Sequence, residues 1–447
     1  MRNRSKAGFI ASFIAGILAG LAGILMVGCT SAGNPPSVTL IDGTYWSHRY
    51  QAYLQVDEQI ATRYQWTPAS CIKAAAGLLP KVMTAEAAAG QHDWVYADYQ
   101  SISLQRRSDG LPLVFIREPF LPGNCKVSPV ESAQLNLDTL TYTLAQFGQP
   151  VPYTDLLRWR YEAERLDTEL ADSPLAENLS LFQLLATVLD EGGDEHAFLL
   201  SRALGNYHSV STFAVGEAQR AWARRDLMSE LRASRLASSC EQKLWWGLLE
   251  DKRYYLGILN LQELSDEPNY SAADHRCLEQ ALSAVAADLE KTGRLLGQPP
   301  ELLVDLRYNE GGSVLLASQL ADSLSWRDQP LAIIGEHKVK ASRRGPDLSN
   351  LYQHGTVLIT EVTASAAEHL AQALRLRGFK LMGQNTRGAF SPITVRTLPN
   401  GWIVGLSMYS ADQVRDGANN PLPEKRGLTP DASLPLEVLF PTRPTKP

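Results

Sequence analysis

The arrangement of apolar and polar residues is most regular in the C-terminal half of the chain. Short apolar runs rich in β-branched residues alternate there with longer segments in which apolar residues recur every three or four positions. The runs predict buried strands, and the longer segments predict amphipathic helices. The predicted strands are 254–259, 302–306, 331–334, 357–359, 379–382, 393–398 and 402–408, and the predicted helices are 272–295, 314–324 and one from 366 to Gly378. Strands that alternate with helices are typical of βαβ units, so we expect an α/β domain with a largely parallel sheet over residues 241–447.

The N-terminal half gives mixed signals. Residues 57–64 and 69–89 are predicted to be helical and 113–116 to form a strand, which together predict a small α+β domain over residues 29–130. Residues 131–240 have mainly helical periodicity, and the last strongly amphipathic helix in this segment ends at Gly192-Gly193.

The length of the chain indicates how many domains it holds, and its net charge argues against one class of partner. A chain of 447 residues is expected to hold two or three domains, and its hydrophobic fraction of 45% is ample for packed cores. The net charge of −6 argues against a nucleic-acid partner, because such partners require a basic face.

The first residues have the pattern of a targeting segment. Arg2, Arg4 and Lys6 precede an uncharged apolar run that ends in Met26-Val27-Gly28-Cys29. This ending resembles the lipobox of bacterial lipoproteins, although Met26 stands where leucine is usual. The run is also long enough to be an uncleaved membrane anchor. We favour a signal peptide over residues 1–28 with lipid on Cys29, which predicts a lipid-anchored protein of the cell envelope that faces the periplasm. Thr30, rather than aspartate, fits the outer membrane.

Four further cysteines follow the lipobox: Cys71, Cys125, Cys240 and Cys277. An oxidising compartment permits two disulfides among them, in any of three connectivities. Sequential pairing keeps each bridge within one predicted domain, so we expect Cys71–Cys125 and Cys240–Cys277. No pair has the spacing of a metal site, and the sequence predicts neither a metal nor a cofactor.

Ser365 follows the predicted strand 357–359 and precedes a predicted helix. Free N–H groups and the positive end of the dipole at a helix N-terminus can stabilise an oxyanion, so Ser365 is a candidate nucleophile. The motif Ser365-x-x-Glu368 also fits a capping box, in which the serine would only cap the helix.

Two other parts of the sequence could contribute catalytic groups. The Gly311-Gly312 turn follows a predicted strand, and its backbone N–H groups could approach a substrate closely. His196 follows a helix break and lies among acidic residues, which can fix its tautomer, although a loop histidine of this kind is often only a solvated side chain.

Taken together, these motifs resemble the tail-specific and tricorn-like serine peptidases over residues 130–440. The blocks that carry the resemblance occur in the family's order: Asp194-Glu195-His196, Asp305 to Gly312, Thr363 to Glu368, Gly383 to Gly388 and Glu424 to Asp431. The resemblance implies a ClpP/crotonase-like catalytic core, Ser365 as the nucleophile and a protein or peptide substrate.

The resemblance also implies roles for the other residues of these blocks. The processing-peptidase branch places a catalytic lysine directly after the Gly-x-x-Thr-x-Gly block, but this chain has Ala389 there. The tricorn-like branch uses a histidine and a glutamate instead, which correspond to His196 as base and Glu424 as its orienting acid. Backbone N–H groups would form the oxyanion hole, and one glutamate would support the nucleophile. The oxyanion hole would be formed by Ala366, Gly311 and Gly312. The supporting glutamate would be Glu368.

The segment between His196 and the first core strand is too short for the PDZ domain that many relatives carry, so we expect no PDZ domain. A non-catalytic peptide- or lipophile-binding lipoprotein on the same scaffold is the main alternative, and an acyl-CoA enzyme is a weaker one. His369, four residues after Ser365, is an alternative base, although a buried helix position is the role we expect for it.

Overall fold

The structure, a computed structural model, describes residues 38–439 except 59, 81, 84–91, 107, 150, 170–173, 211–212, 235, 266–271 and 342–344. The predicted signal peptide and Cys29 therefore lie outside the described residues. The chain divides into two compact units. The first comprises Met1–Val210 and Pro392–Ser410, and the second comprises Ser211–Ser391 and Ala411–Pro447. No helix in the described part of the chain has both the length and the apolar character needed to cross a bilayer.

The N-terminal part of the first unit is a seven-stranded antiparallel sheet. The prediction of helices at 57–64 and 69–89 is wrong where the structure describes these residues, because they pair as strands Ile60–Trp66 and Cys71–Pro80. Pairing with each other and with the preceding strand overrides the local preference of these segments. The strands, from one edge to the other, are Cys71–Pro80, Ile60–Trp66, Ala52–Val56, Gly43–Ser47, Pro112–Glu118, Ser101–Arg106 and His92–Ala97. Strands Val38–Thr39 and Val82–Met83 pair separately.

The rest of the first unit packs helices against a small antiparallel sheet. Its core contains Leu137, Trp159, Leu185 and Val404, all at most 2% exposed. The helices are Ala133–Gln146, Tyr153–Glu169 and Leu179–Gly192, with short 3₁₀ turns at Gly123–Cys125 and Leu175–Glu177. The strands, in spatial order, are Asn206–Ser209, Phe198–Ser201, Ile403–Ser407 and Ile393–Thr397. The last two strands come from the segment Pro392–Ser410, so residues distant in sequence complete this sheet.

The second unit is built on a seven-stranded mixed sheet whose last five strands are parallel. The strands expected at 254–259, 302–306, 357–359 and 379–382 are confirmed, with bounds that differ by a few residues at most. The strands expected at 331–334, 393–398 and 402–408 also form, but their assignment to the parallel sheet is wrong, because they pair in separate antiparallel sheets. In spatial order the strands are Ala237–Ser239, Leu244–Leu248, Tyr254–Ile258, Leu302–Asp305, Gly355–Ile359, Lys380–Gly383 and Ala432–Ser433. The predicted α/β character of this region is therefore confirmed.

Helices connect the parallel strands of the second unit. Helix Val314–Leu324 is buried along nearly its whole length, and helix Ala366–Leu376 follows the central strand Gly355–Ile359. The other helices are Glu217–Ala233, Ala272–Leu296 and Leu436–Leu439, with a 3₁₀ turn at Ala411–Gln413. A separate three-stranded sheet contains His337–Val339, Ala332–Ile334 and Val414–Asp416.

One disulfide lies in each unit. Cys71 is bonded to Cys125 and Cys240 to Cys277, so the expected sequential pairing is confirmed. Each bridge joins a strand to a helical element, and cross-links of this kind restrict the unfolded chain.

Candidate active site

Ser365 lies at a sharp turn between strand Gly355–Ile359 and helix Ala366–Leu376. Its φ of 55° and ψ of −124° are uncommon for a residue other than glycine, and such strain persists only where the surroundings enforce it. The N–H of Ser365 donates to Glu368 Oε2 at 3.0 Å, and the N–H of Glu368 donates to the main-chain carbonyl of Ser365 at 2.9 Å. Ser365 and Glu368 thus form a capping box at the start of the helix.

The buried carboxylate of Glu368 holds this turn in place. This carboxylate is 0% exposed and accepts four hydrogen bonds. Oε2 accepts from the N–H groups of Ser365 and Ala389, and Oε1 accepts from the Gly388 N–H at 2.7 Å and from the Thr386 hydroxyl. Burial raises the pKa of Glu368 to about 7, and the four donated hydrogen bonds oppose that rise. One carboxylate thus ties the nucleophile turn to the loop 386–389.

The Gly311-Gly312 turn packs directly against Ser365. A Cβ on Gly311 would lie 2.7 Å from both the Ala364 carbonyl oxygen and Ser365 Cβ, so only glycine fits there. The Gly311 N–H donates to Asn309 Oδ1 at 2.9 Å and is therefore already used inside the turn. The N–H groups of Gly312 and Ala366 have no acceptor among the described residues, and Ala366 is the first residue of its helix.

A buried ionic network supports this turn. The guanidinium of Arg307 donates to Asp305 Oδ2 at 2.7 Å, and the Tyr255 hydroxyl donates to the same oxygen at 3.0 Å. Burial acts to raise the pKa of Asp305, but the charge and hydrogen bonds of Arg307 outweigh burial and hold that pKa below its usual value. Asn309 also donates to the carbonyl of Ile258 at 2.9 Å. The three polar residues of this block, Asp305, Arg307 and Asn309, therefore brace the glycine turn.

His196 lies in the first unit, in the loop that follows helix Leu179–Gly192. Gly193 ends the helix in the left-handed conformation, with a φ of 61°. Asp194, which is 2% exposed, then accepts the N–H of His196 at 3.0 Å. The same carboxylate accepts from Gln149 Nε2 at 2.8 Å. The loop that presents the imidazole is thus held by one buried acid.

Ser407 joins Asp194 to the imidazole ring. Its hydroxyl donates to Asp194 Oδ1 at 2.7 Å, and its N–H donates to Oδ2 at 2.8 Å. The same hydroxyl oxygen lies 3.4 Å from Nδ1 of His196. Because the hydroxyl proton is directed to Asp194, the oxygen faces Nδ1 as an acceptor, which favours the tautomer protonated at Nδ1 and leaves Nε2 as a base. Sequence reasoning missed Ser407.

Glu424 and His369 both contact Phe390. Glu424 is partly buried, and its Oε2 accepts the Phe390 N–H at 3.0 Å. His369 is 1% exposed, and its Nε2 lies 2.8 Å from the Phe390 carbonyl oxygen, which can only accept. Burial lowers the pKa of His369 to about 4, so its ring is neutral near pH 7. His369 is thus a buried helix residue, the role that the sequence favoured.

The predicted site residues are divided between the two units. Ser365, Glu368 and the glycine turn form one contiguous arrangement in the second unit, which also contains Glu424, whereas His196 belongs to the first unit. Ala389, at the position of the family's lysine, donates its N–H to Glu368 at 2.8 Å. The catalytic assignments remain predictions at this point.

Comparison with protein families gives one match. The family model described as Peptidase family S41 matches residues 257–434, which span the glycine turn, the Ser365 turn and Glu424. The search of curated proteins finds no significant match to the chain.

Solved structures give more distant likenesses. A lipoprotein from Streptococcus agalactiae is 17% identical, with 69% of this chain and 94% of that chain covered and a TM-score of 0.39. The photosystem II D1 C-terminal processing protease is 14% identical, with 69% and 95% covered and a TM-score of 0.36. Mature CPAF is 12% identical, with 69% and 94% covered and a TM-score of 0.43. Likenesses this distant decide nothing about the activity of this chain.

Proposed function

We propose that the chain is a serine peptidase with Ser365 as its nucleophile and His196 as its base, because residues 257–434 match the family model described as Peptidase family S41. The observation that carries the proposal is the Ser365 turn, which combines a strained φ with an adjacent pair of N–H groups without acceptors among the described residues. A strained turn after a strand can present a nucleophilic serine beside donors that hold an oxyanion. We also infer that the core is of the ClpP/crotonase type, which its parallel strands and connecting helices support.

In the proposed reaction, Ser365 Oγ attacks the carbonyl carbon of a peptide bond while its proton passes to Nε2 of His196. The carbonyl oxygen becomes an oxyanion that accepts hydrogen bonds from the N–H groups of Ala366 and Gly312. Gly311 leaves the set of proposed donors, because its N–H is bonded to Asn309. Its role is to let the turn approach Ser365 closely.

The intermediate then collapses. The bond between carbon and nitrogen breaks as Nε2 returns its proton to the leaving amine, and an acyl group remains on Ser365. Water attacks this ester with His196 again as base, which releases the new C-terminus and restores the hydroxyl. No metal or cofactor is assigned a step.

The base requires a fixed tautomer and a means to stabilise its protonated form. We assign part of that role to Asp194, which acts on Nδ1 through the Ser407 hydroxyl. Glu424 remains the proposed orienting acid from the second unit, as the family resemblance implies. With a lipid on Cys29, the peptidase would act on proteins or peptides in the cell envelope. Without a PDZ domain, either the N-terminal domain or the active site itself would select them.

Labelling with a fluorophosphonate probe tests the nucleophile. We expect labelling of the wild type and none of Ser365→Ala. Ser313→Ala is a matched control, because Ser313 also follows a turn after a buried strand and caps a helix in the same unit. Its loss should cost about 1 kcal/mol of stability and leave labelling intact.

The outcomes separate the two classes of protein. Labelling of Ser365→Ala equal to that of the wild type would assign the reaction to another residue. No labelling of any variant would favour the non-catalytic binding protein. Loss of labelling in Ser313→Ala, with Ser365→Ala still labelled, would also reject Ser365.

A further inference from the structure

Guanidinium groups are concentrated inside the first unit, away from the residues of the proposed reaction. Arg63 lies on strand Ile60–Trp66 opposite Leu54, which is 1% exposed and faces the core. Arg396 is 6% exposed and donates to the carbonyl oxygens of Tyr50 and Gln51. Arg106 ends strand Ser101–Arg106 and contacts the Ile393 carbonyl. These three arginines come from three strands that are distant in the sequence.

The donors of this arginine cluster, Arg63, Arg106 and Arg396, are not all satisfied. The buried Nε atoms of Arg63 and Arg396 have no hydrogen-bond partner among the described residues. The Tyr50 hydroxyl, in a residue 8% exposed, has none either. Arg106 is close enough to act electrostatically on that hydroxyl, but the two groups lack hydrogen-bond geometry. Buried donors of this kind normally have an acceptor, because leaving one unpaired is costly.

Charge in the cluster is also unbalanced. Asp109, 2% exposed, pairs with Arg106 at 3.1 Å, and no carboxylate among the described residues acts on Arg63 or Arg396. Burial lowers the pKa of Arg63 to about 10, and burial together with the charge of Arg63 lowers that of Arg396 to about 9. One carboxylate against three guanidinium groups leaves two positive charges without a counterion. Unpaired buried charge is strongly destabilising.

We propose that the arginine cluster and the Tyr50 hydroxyl bind a divalent oxyanion of the phosphate or sulfate class. Such an anion carries two negative charges, which match the two unbalanced guanidinium groups. Its several oxygens offer acceptors for the two free Nε atoms and for the hydroxyl, and guanidinium groups favour this chemistry. The site does not depend on the peptidase activity.

Thermal unfolding of the purified chain tests the site with inorganic phosphate and sulfate as probes. Ionic strength is held constant with sodium chloride, since general screening must not differ between samples. We expect a saturable rise in melting temperature, about 5 °C or more when the anion is a hundredfold above its Kd. Calorimetric titration should give one site per chain. A rise with phosphate alone would assign the site to phosphate groups, and equal rises would assign it to divalent oxyanions in general.

Two variants locate the effect. Arg63→Met should abolish the anion-dependent rise and, without the anion, should melt no lower than the wild type, because it removes an unpaired buried charge. Tyr50→Phe should weaken binding about tenfold, since one hydrogen bond to a charged group is lost. Arg117→Met is the control, because Arg117 belongs to the same sheet but donates to the Asp42 carbonyl at 2.9 Å and to the Tyr45 hydroxyl at 3.1 Å.

Two results would overturn the proposal. One is the absence of any phosphate- or sulfate-dependent rise at constant ionic strength. The other is an unchanged rise in both Arg63→Met and Tyr50→Phe, which would place any bound anion elsewhere.

Discussion

Each of the two proposed catalytic side chains lies beside a buried carboxylate that accepts four hydrogen bonds, but the two carboxylates hold their partners differently. Glu368, in the second unit, receives three of its four hydrogen bonds from backbone N–H groups. Asp194, in the first unit, receives two from backbone N–H groups and two from the side chains of Ser407 and Gln149. Glu368 fixes the path of the backbone at the Ser365 turn. Asp194 fixes the backbone of its loop and also the orientation of the His196 imidazole ring.

Glu368 and Asp194 are therefore expected to have different roles. The Glu368 carboxylate accepts from the N–H of Ser365 rather than from its hydroxyl, so it maintains the strained backbone without binding the hydroxyl. Asp194 reaches the imidazole only through the Ser407 hydroxyl, which a single substitution can remove. Loss of Glu368 should therefore damage folding and activity together, whereas loss of Ser407 should damage mainly the reaction.

The largest effect is expected from Glu368→Ala. It leaves the N–H groups of Ser365, Gly388 and Ala389 and the Thr386 hydroxyl without their acceptor, at a cost of about 3 to 5 kcal/mol in the free energy of unfolding. Activity should fall at least about a hundredfold, because the nucleophile turn loses its support. Urea unfolding and peptide hydrolysis measure the two losses.

Glu361→Ala is the matched control for Glu368. Glu361 lies in the same unit and also accepts backbone hydrogen bonds, from Ala214 at 2.6 Å and Val215 at 3.0 Å, but it is partly exposed. Water can replace it, so its removal should cost about 1 kcal/mol. Equal losses of unfolding free energy in the two variants would contradict the proposed difference between the buried Glu368 and the partly exposed Glu361.

The pH dependence of stability gives the next largest effect. Because burial raises the pKa of Glu368 from 4.5 to about 7, the folded protein binds this proton more tightly than the unfolded chain does. The contribution of Glu368 to stability is therefore greatest below about pH 4.5 and falls by about 3 kcal/mol as pH rises to about 7 and beyond. Urea unfolding of wild type and Glu368→Gln across this interval isolates the contribution. Parallel curves for the two proteins would contradict the assignment.

A smaller, purely kinetic effect is expected from Ser407→Ala. Without the hydroxyl, Asp194 no longer acts on Nδ1 of His196, so kcat should fall about tenfold while KM stays unchanged. Ser201→Ala is the control, because Ser201 is 0% exposed on the neighbouring strand and its hydroxyl bonds to backbone groups of Ala176 and Leu204. A rise in KM with kcat preserved would mean that Ser407 has no part in positioning the base.

The second unit was largely predictable from the sequence because its signals are local. Continuous apolar runs are typical of buried parallel strands, and the Ser365 and Gly311 turns follow such strands directly. The first unit was not, since strands Ile60–Trp66 and Cys71–Pro80 form through pairing with each other and with the neighbouring strand Ala52–Val56. No local pattern distinguishes such strands from helices of similar composition.

The residues of the candidate site also differ in whether the sequence alone could predict them. Glu368 lies three residues from Ser365, so a capping motif was enough to find it. Ser407 lies 211 residues from His196 at the end of a fully buried strand, so only the structure brings them together. Arg63 and Arg396 also belong to distant strands, and nothing in the sequence marks their Nε atoms as unpaired.

Peptide hydrolysis by Ser365→Ala, His196→Ala and the double variant tests the central claim most directly. If the two residues act as a unit, each single substitution should lower kcat on the order of ten-thousandfold, and the double variant should be no worse than either. Losses that multiply in the double variant, or near-normal turnover by His196→Ala, would contradict the account.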